Sequence, residues 1–129
     1  MGKKIMVIDD EPDVITYLTT LLKENGYETD SARDGVEGLK KIKENRPDLV
    51  CLDILMPEKS GIGLYREIKK DEGLKGIPVV IVTGFRGGEH PLMDFKDFLS
   101  KRSVPGPEGY MEKPIDRQKF LEIIEKNLG

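Results

Sequence analysis

Histidine and cysteine, the usual side chains of soft metal sites and nucleophilic pairs, occur once each in the 129 residues. The lone thiol, Cys51, offers no disulfide and no CxxC redox pair, as suits a reducing cytosol. It stands in the apolar run LVCLDI and reads as a small core residue. His90 lies in a Gly/Pro-rich stretch with no second His or Cys nearby, and reads as solvated rather than as a ligand. Long apolar runs are missing too. After two lysines only Ile5–Ile8 is unbroken, too short for a signal peptide or a membrane span. Gly2 invites myristoylation, but Met6 stands where that motif needs Ser or Thr. No charge sign prevails: 21 Lys and Arg face 24 Asp and Glu, interspersed, for a net charge of -3. Nucleic acid and anionic membrane are therefore not expected as main partners. A chain of this length buries about two-thirds of its unfolded surface, so it folds without a staple.

What is present is an alternation of two kinds of segment. Short apolar runs rich in Val and Ile occur at Ile5–Ile8, Leu49–Leu52 and Val79–Val82, as expected of strands covered on both faces. Between them lie stretches with helical spacing. Val14, Leu18, Leu21 and Leu22 form one stripe, with Pro12 near its start and Gly26 at its end. Val36, Leu39 and Ile42 form a second, opened by Asp34 and Glu37 as a capping box and stopped by Pro47. Ser60 can cap a third helix carrying Leu64, Tyr65 and Ile68. Phe120, Leu121, Ile124 and Leu128 stripe a last one after Asp116. Weaker strands near Tyr27–Ser31 and Tyr110–Glu112 complete five β-α units. The expectation is an α/β fold, a doubly wound five-stranded parallel sheet in the flavodoxin-like order 2-1-3-4-5. It would form a single domain over residues 1–129. The stretch Gly84–Gly109 has no regular pattern and is assigned none.

The polar residues that end the strands carry the chemistry. Strand one runs into Asp9-Asp10, strand three into Asp53, strand four into Thr83 and strand five into Lys113-Pro114. In an open parallel sheet these ends share one edge, where ligands bind. Three carboxylates crowded there repel one another, and a hard divalent cation with oxygen ligands, Mg²⁺ (or Mn²⁺), offsets the charge. Lys113 adds a compact positive charge and Thr83 a hydroxyl donor. Together they describe phosphoryl transfer to a carboxylate nucleophile. Singly, each residue has a plainer reading: an Asp pair caps a helix, a Thr ends a strand, a Lys is solvated. Gly87-Gly88 lacks the spacing of a phosphate-binding loop. The conjunction, four polar stops in one order, is what points to a site.

The motifs IMVIDDEPDV, LVCLDILMPEKSG, VVIVTG and YMEKPID resemble the receiver domain of two-component response regulators, and with their intervening helices they span most of the chain. The resemblance implies that Asp53 accepts a phosphoryl group from a sensor histidine kinase or histidine phosphotransferase. It implies that Asp9, Asp10, Asp53 and the backbone carbonyl of Leu55 hold the metal. Thr83 and Lys113 would bind phosphoryl oxygens, and Gly84 would keep the site accessible. Tyr110 would move inward with Thr83 as the switch, and Lys113-Pro114 would be cis. Pro12, Asp13, Val14 and Tyr17 match the family's kinase-docking patch, although Val14 serves equally as core. A cytoplasmic location, a further downstream protein partner, and no activity beyond the domain's own phosphorylation and dephosphorylation also follow.

Two departures from the family stand out. Thr83 and Lys113 are further apart than usual, with the fourth helix expected to be rearranged around Pro91, Pro105 and Pro107. Two positions that tune hydrolysis, Leu55 and Phe85, are apolar, which suggests a long-lived phosphate. Rival readings fit less well. A haloacid-dehalogenase-type phosphatase needs a second Asp where Leu55 stands. A flavodoxin needs a Ser/Thr/Gly loop where DDEPD would repel phosphate. A receiver-like interaction module that works without phosphorylation remains the alternative.

Overall fold

Three of the five strands are apolar except for Lys4 at the start of one and Thr83 at the end of another, and the reason is their covering. A computed structural model describes residues 2–56, 60–84 and 91–128, with the backbone alone at 60, 91 and 92. Strands β1 (Lys4–Ile8), β2 (Glu28–Ala32), β3 (Leu49–Leu52), β4 (Val79–Thr83) and β5 (Gly109–Glu112) form one parallel sheet in the order β2-β1-β3-β4-β5. Side chains alternate between faces along each strand. Ile5 and Val7 of β1, with Cys51, Val80 and Val82, pack under α1 (Pro12–Glu24) and α5 (Arg117–Leu128). Met6 and Ile8, with Val50, Leu52, Val79 and Ile81, pack under α2 (Gly35–Glu44), α3 (Ser60–Lys70) and α4 (Pro91–Arg102). Two apolar layers sandwich the central strands, so those strands read as unbroken runs. The expected doubly wound fold and strand order are those observed.

Local chemistry explains the boundaries. Gly26, at φ 87°, ends α1: Tyr27 N–H donates to Leu22 O and Gly26 N–H to Lys23 O. Tyr27 thus belongs to this cap, and β2 begins one residue later than expected. Asp34 accepts from Glu37 N–H at 2.8 Å, while the Glu37 carboxylate takes the N–H of Arg33. That is the expected capping box displaced by one residue. The cap assigned to Ser60 lies outside the described side chains. One stripe needs correction: Leu39 packs on the core and Ile42 is buried, but Val36 is 82% exposed. The face of α2 turned to the sheet runs through Gly35, Gly38 and Ile42, all buried, and Val36 lies off it.

The fourth helix is also corrected. It is a regular α-helix with Phe95 and Leu99 buried, not a rearranged one. Pro91 occupies its first position, where a missing N–H leaves no gap in the ladder. The helix stops through the same cap as α1, with Ser103 in the left-handed region at φ 53° and Val104 N–H donating to Leu99 O. Pro105 and Pro107 follow this stop.

Candidate functional site

The C-terminal ends of β1, β3, β4 and β5 bring together the residues singled out from the sequence. Register pairs Ile8 with Leu52, so Asp9 and Asp53 leave adjacent strands side by side. Asp9 and Asp53 are each 2% exposed and Thr83 is fully buried. Asp53 Oδ1 accepts from Leu55 N–H at 2.8 Å and from Thr83 Oγ1 at 3.0 Å. Its Oδ2 lies 3.4 Å from Lys113 Nζ, which also lies 2.9 Å from Asp9 Oδ2. Carboxylate oxygens of Asp9, Asp10, Glu11 and Asp53 all fall within 4.8 Å of one another.

The electrostatics of this cluster are unbalanced. Burial raises the Asp9 carboxyl to about 6, opposed by the Glu11 N–H and the Lys113 ammonium and assisted by the nearby Asp53. Burial works against charge on Lys113, but Asp9, Asp53 and Glu11 outweigh it and hold the ammonium well above the ordinary lysine range. Four carboxylates face one ammonium. Asp10 Oδ1 is buried without a hydrogen-bond partner. An orphaned anionic oxygen beside two buried carboxylates suits a hard cation, so the donor set fits Mg²⁺.

The remaining residues fall as follows. Ile81 pairs with Tyr110 and Thr83 with Glu112, placing Thr83 and Tyr110 on the sheet face that α4 covers. Tyr110 is half-buried, edge-on to Phe95 at 6.5 Å between centroids, with Lys96 Nζ 4.5 Å above its ring. The Lys113-Pro114 peptide is cis. A methyl at Gly84 would approach nothing nearer than Lys113 Cδ at 3.8 Å, so a small side chain fits there. Asp13, Val14 and Tyr17 line a shallow cavity of about 330 Å³ with Lys113, Pro114 and Ile115. Pro12 is exposed beside it, and Val14 packs at the edge of the core. Phe85, Gly87-Gly88 and His90 lie outside the described residues.

Two participants escaped the sequence reading. Glu11 binds Lys113 Nζ at 3.1 Å and donates its N–H to Asp9 Oδ1 at 2.9 Å. Its position directly after the Asp pair was the available signal. Gly61, in the first turn of α3, packs against the backbone of Asp53: an added Cβ would collide with the Asp53 carbonyl oxygen and lie 2.7 Å from Ile54 Cα. It closes the motif LVCLDILMPEKSG, but nothing in that pattern says what it touches.

A buried aspartate at a strand end, a threonine and a lysine converging on it, and acidic residues beside it define a receiver domain. The chain belongs to the response regulator receiver domain family, whose model matches residues 5–125. It is 35% identical to the polar-differentiation response regulator DivK of Brucella anthropi over 131 residues, covering all of this chain and 98% of that protein. Among solved structures it resembles a CheY-like receiver domain protein from Methanospirillum hungatei, with a TM-score of 0.83 and 26% identity over 99% of this chain and 94% of that one. A receiver domain protein from Clostridium thermocellum is 33% identical, with a TM-score of 0.79, over 98% and 94% of the two chains. No helix among the described residues is long and apolar enough to cross a membrane.

Proposed function

We propose that this chain is a phosphorylation-driven switch of two-component signalling, with Asp53 as the phosphoacceptor. The observation that carries the reading is the convergence of Thr83 Oγ1 at 3.0 Å and Lys113 Nζ at 3.4 Å on the two oxygens of one buried carboxylate. Asp53 attacks the phosphorus of a phosphohistidine on a sensor kinase or phosphotransferase, the new P–O bond replacing the P–N bond as the donor's imidazole leaves. Lys113 and Thr83 exchange their bonds to Asp53 for bonds to the transferring oxygens, which is catalysis by position and charge. Asp9, Asp10, Asp53 and the Leu55 carbonyl are the residues that would hold Mg²⁺. Bound there, the ion would offset the carboxylate charge and orient phosphoryl oxygens. Once Thr83 turns toward the new phosphoryl group it vacates space on the α4 face, and Tyr110 follows it inward, shifting a two-state equilibrium.

Several finer assignments belong to the same proposal. The α1 cavity of Asp13, Val14 and Tyr17, with Pro12 at its margin, receives the kinase or phosphotransferase; the downstream partner is another protein. The whole chain, residues 1–129, acts as one receiver domain in the cytoplasm, with no reaction beyond its own phosphorylation and dephosphorylation. Leu55 and Phe85 offer no hydrogen bond to an attacking water, so the phosphate is long-lived. Incubation with acetyl phosphate and Mg²⁺ should add the mass of one phosphoryl group, and Asp53→Asn should abolish the addition. No added mass would refute the proposal and favour a phosphorylation-independent interaction module, and the same addition in the variant would refute Asp53 as the phosphoacceptor. Decay of the phosphate within seconds at neutral pH would sink the lifetime claim alone.

A further inference from the structure

Val36 is a large apolar side chain in solvent, and the groove beside it carries features that match one another. Helices α2 and α3 both follow parallel strands and cover the same sheet face, so they run in the same direction. Between them lies an open groove of about 480 Å³ whose floor includes Leu39 and Leu64. On its α2 wall stand Val36 and, one turn on, Lys40; on its α3 wall stand Gly63 and, one turn on, Glu67. Each pair is separated by four residues, about 6 Å of helical rise, so the two walls repeat with the same step. Val36 projects, being 82% exposed. Gly63 recedes: a Cβ added there would meet nothing within 4 Å. Among the described residues neither Lys40 nor Glu67 takes part in an ion pair.

We propose that this groove is a self-association surface, occupied by the α2–α3 face of a second copy of the chain. A two-fold axis running along the groove sets α2 of each copy against α3 of the other. Val36 then enters the notch at Gly63 of its mate, and Lys40 meets Glu67 of its mate, each contact occurring twice. Isologous interfaces demand that one patch hold both halves of each contact, and Val36 with Gly63 and Lys40 with Glu67 meet that demand, while Lys43 also lines the groove outside these two pairs. A different partner would need only half of the set. The helices are 10 and 11 residues long, giving a strip about 15 Å in length, well short of a standard interface. The dimer is accordingly weak, with a dissociation constant on the order of 0.1–1 mM.

Sedimentation equilibrium on the full chain at concentrations up to about 1 mM tests the proposal. The wild type should show reversible dimerisation, and Val36→Glu should be monomeric with an unchanged urea midpoint. Lys40→Glu and Glu67→Lys should each weaken association at least tenfold, by setting like charges opposite one another. Mixing the two single variants should restore it, because every opposed pair is then of opposite sign. Changes confined to one chain cannot produce that recovery. A monomeric wild type, which would leave the groove to a different protein, overturns the proposal. So does association that survives Val36→Glu, or failure of the mixed variants to recover.

Discussion

Gly61→Ala probes how the phosphoacceptor's backbone is held, and Gly63→Ala two residues later is its control. A methyl at Gly61 would collide with the carbonyl oxygen of Asp53 and approach Ile54 Cα to 2.7 Å, both of them backbone atoms that cannot rotate away. Either α3 or the strand end carrying Asp53 must shift. Overpacking of this kind costs about 1–3 kcal/mol, and the helix preference of Ala over Gly returns at most about 1 kcal/mol. The expected net loss is about 1–2 kcal/mol, or about 3–8 °C in Tm for a domain of this size. Gly63, on the opposite, exposed side of the same helix, has open space where its Cβ would lie, so its alanine should stabilise by about 0.5–1 kcal/mol. Function should separate the two more sharply. Displacing a reacting group by about 1 Å can slow a positioned reaction about a hundredfold, so Gly61→Ala should phosphorylate from acetyl phosphate at least tenfold more slowly while Gly63→Ala matches the wild type. Urea melts and timed mass spectrometry read both effects. Equal stability and equal phosphorylation rates in the two variants would show that the Gly61 contact does not position Asp53.

Other expectations concern the charge cluster, a helix end and the core thiol. Lys113→Met leaves Asp9 and Asp53 buried without their ammonium; in EDTA it should cost about 2–4 kcal/mol in urea melts, with part of that recovered on adding Mg²⁺, and an undiminished EDTA midpoint would count against the ion-pair account. Ser103 adopts φ 53°, a region that strains any residue with a Cβ but not glycine, so Ser103→Gly should raise stability by about 0.5–1 kcal/mol; a loss would show that the Ser side chain holds the cap. Burial pushes the Cys51 thiol from 9.0 up to about 12. Between those values the unfolded chain releases the proton and the folded chain keeps it, so stability falls as pH rises, by about 1.4 kcal/mol per unit. Cys51→Ala should flatten that slope above pH 9 in urea melts; identical slopes would mean the thiol does not titrate differently on unfolding.

How much of this was legible before folding depended on whether a residue's role was local. Gly26, Asp34 and the apolar runs of β1, β3 and β4 speak through short-range rules of turn, cap and period, and the structure agrees with them within a residue or so. β2, written ETDSA, is an edge strand with little to bury, so its limits depended on where the α1 cap ended. Val36 had the right spacing for a buried stripe, but the face turned to the sheet is that of Gly35, Gly38 and Ile42, and glycines carry no hydrophobic signal to mark it. In the stretch after Thr83, proline density suggested disruption; the prolines instead lie at the start of α4 and beyond its end, where they do no harm.

By itself the chain determined which residue types stand at the ends of which strands, because the order of β-α units is written in hydrophobic periodicity and each polar stop follows its run directly. Only tertiary structure decided what those residues meet. Asp9 and Lys113 are 104 positions apart in sequence number yet 2.9 Å apart in space because parallel strands project their ends to one edge. Glu11 joined that ion pair for the same reason, and Gly61 pressed on the Asp53 carbonyl because α3 packs back on the end of β3. At the opposite edge, where the strands begin, Glu108 accepts from Val79 N–H at 2.7 Å. Such contacts depend on distances between segments, and one-dimensional pattern carries no record of them.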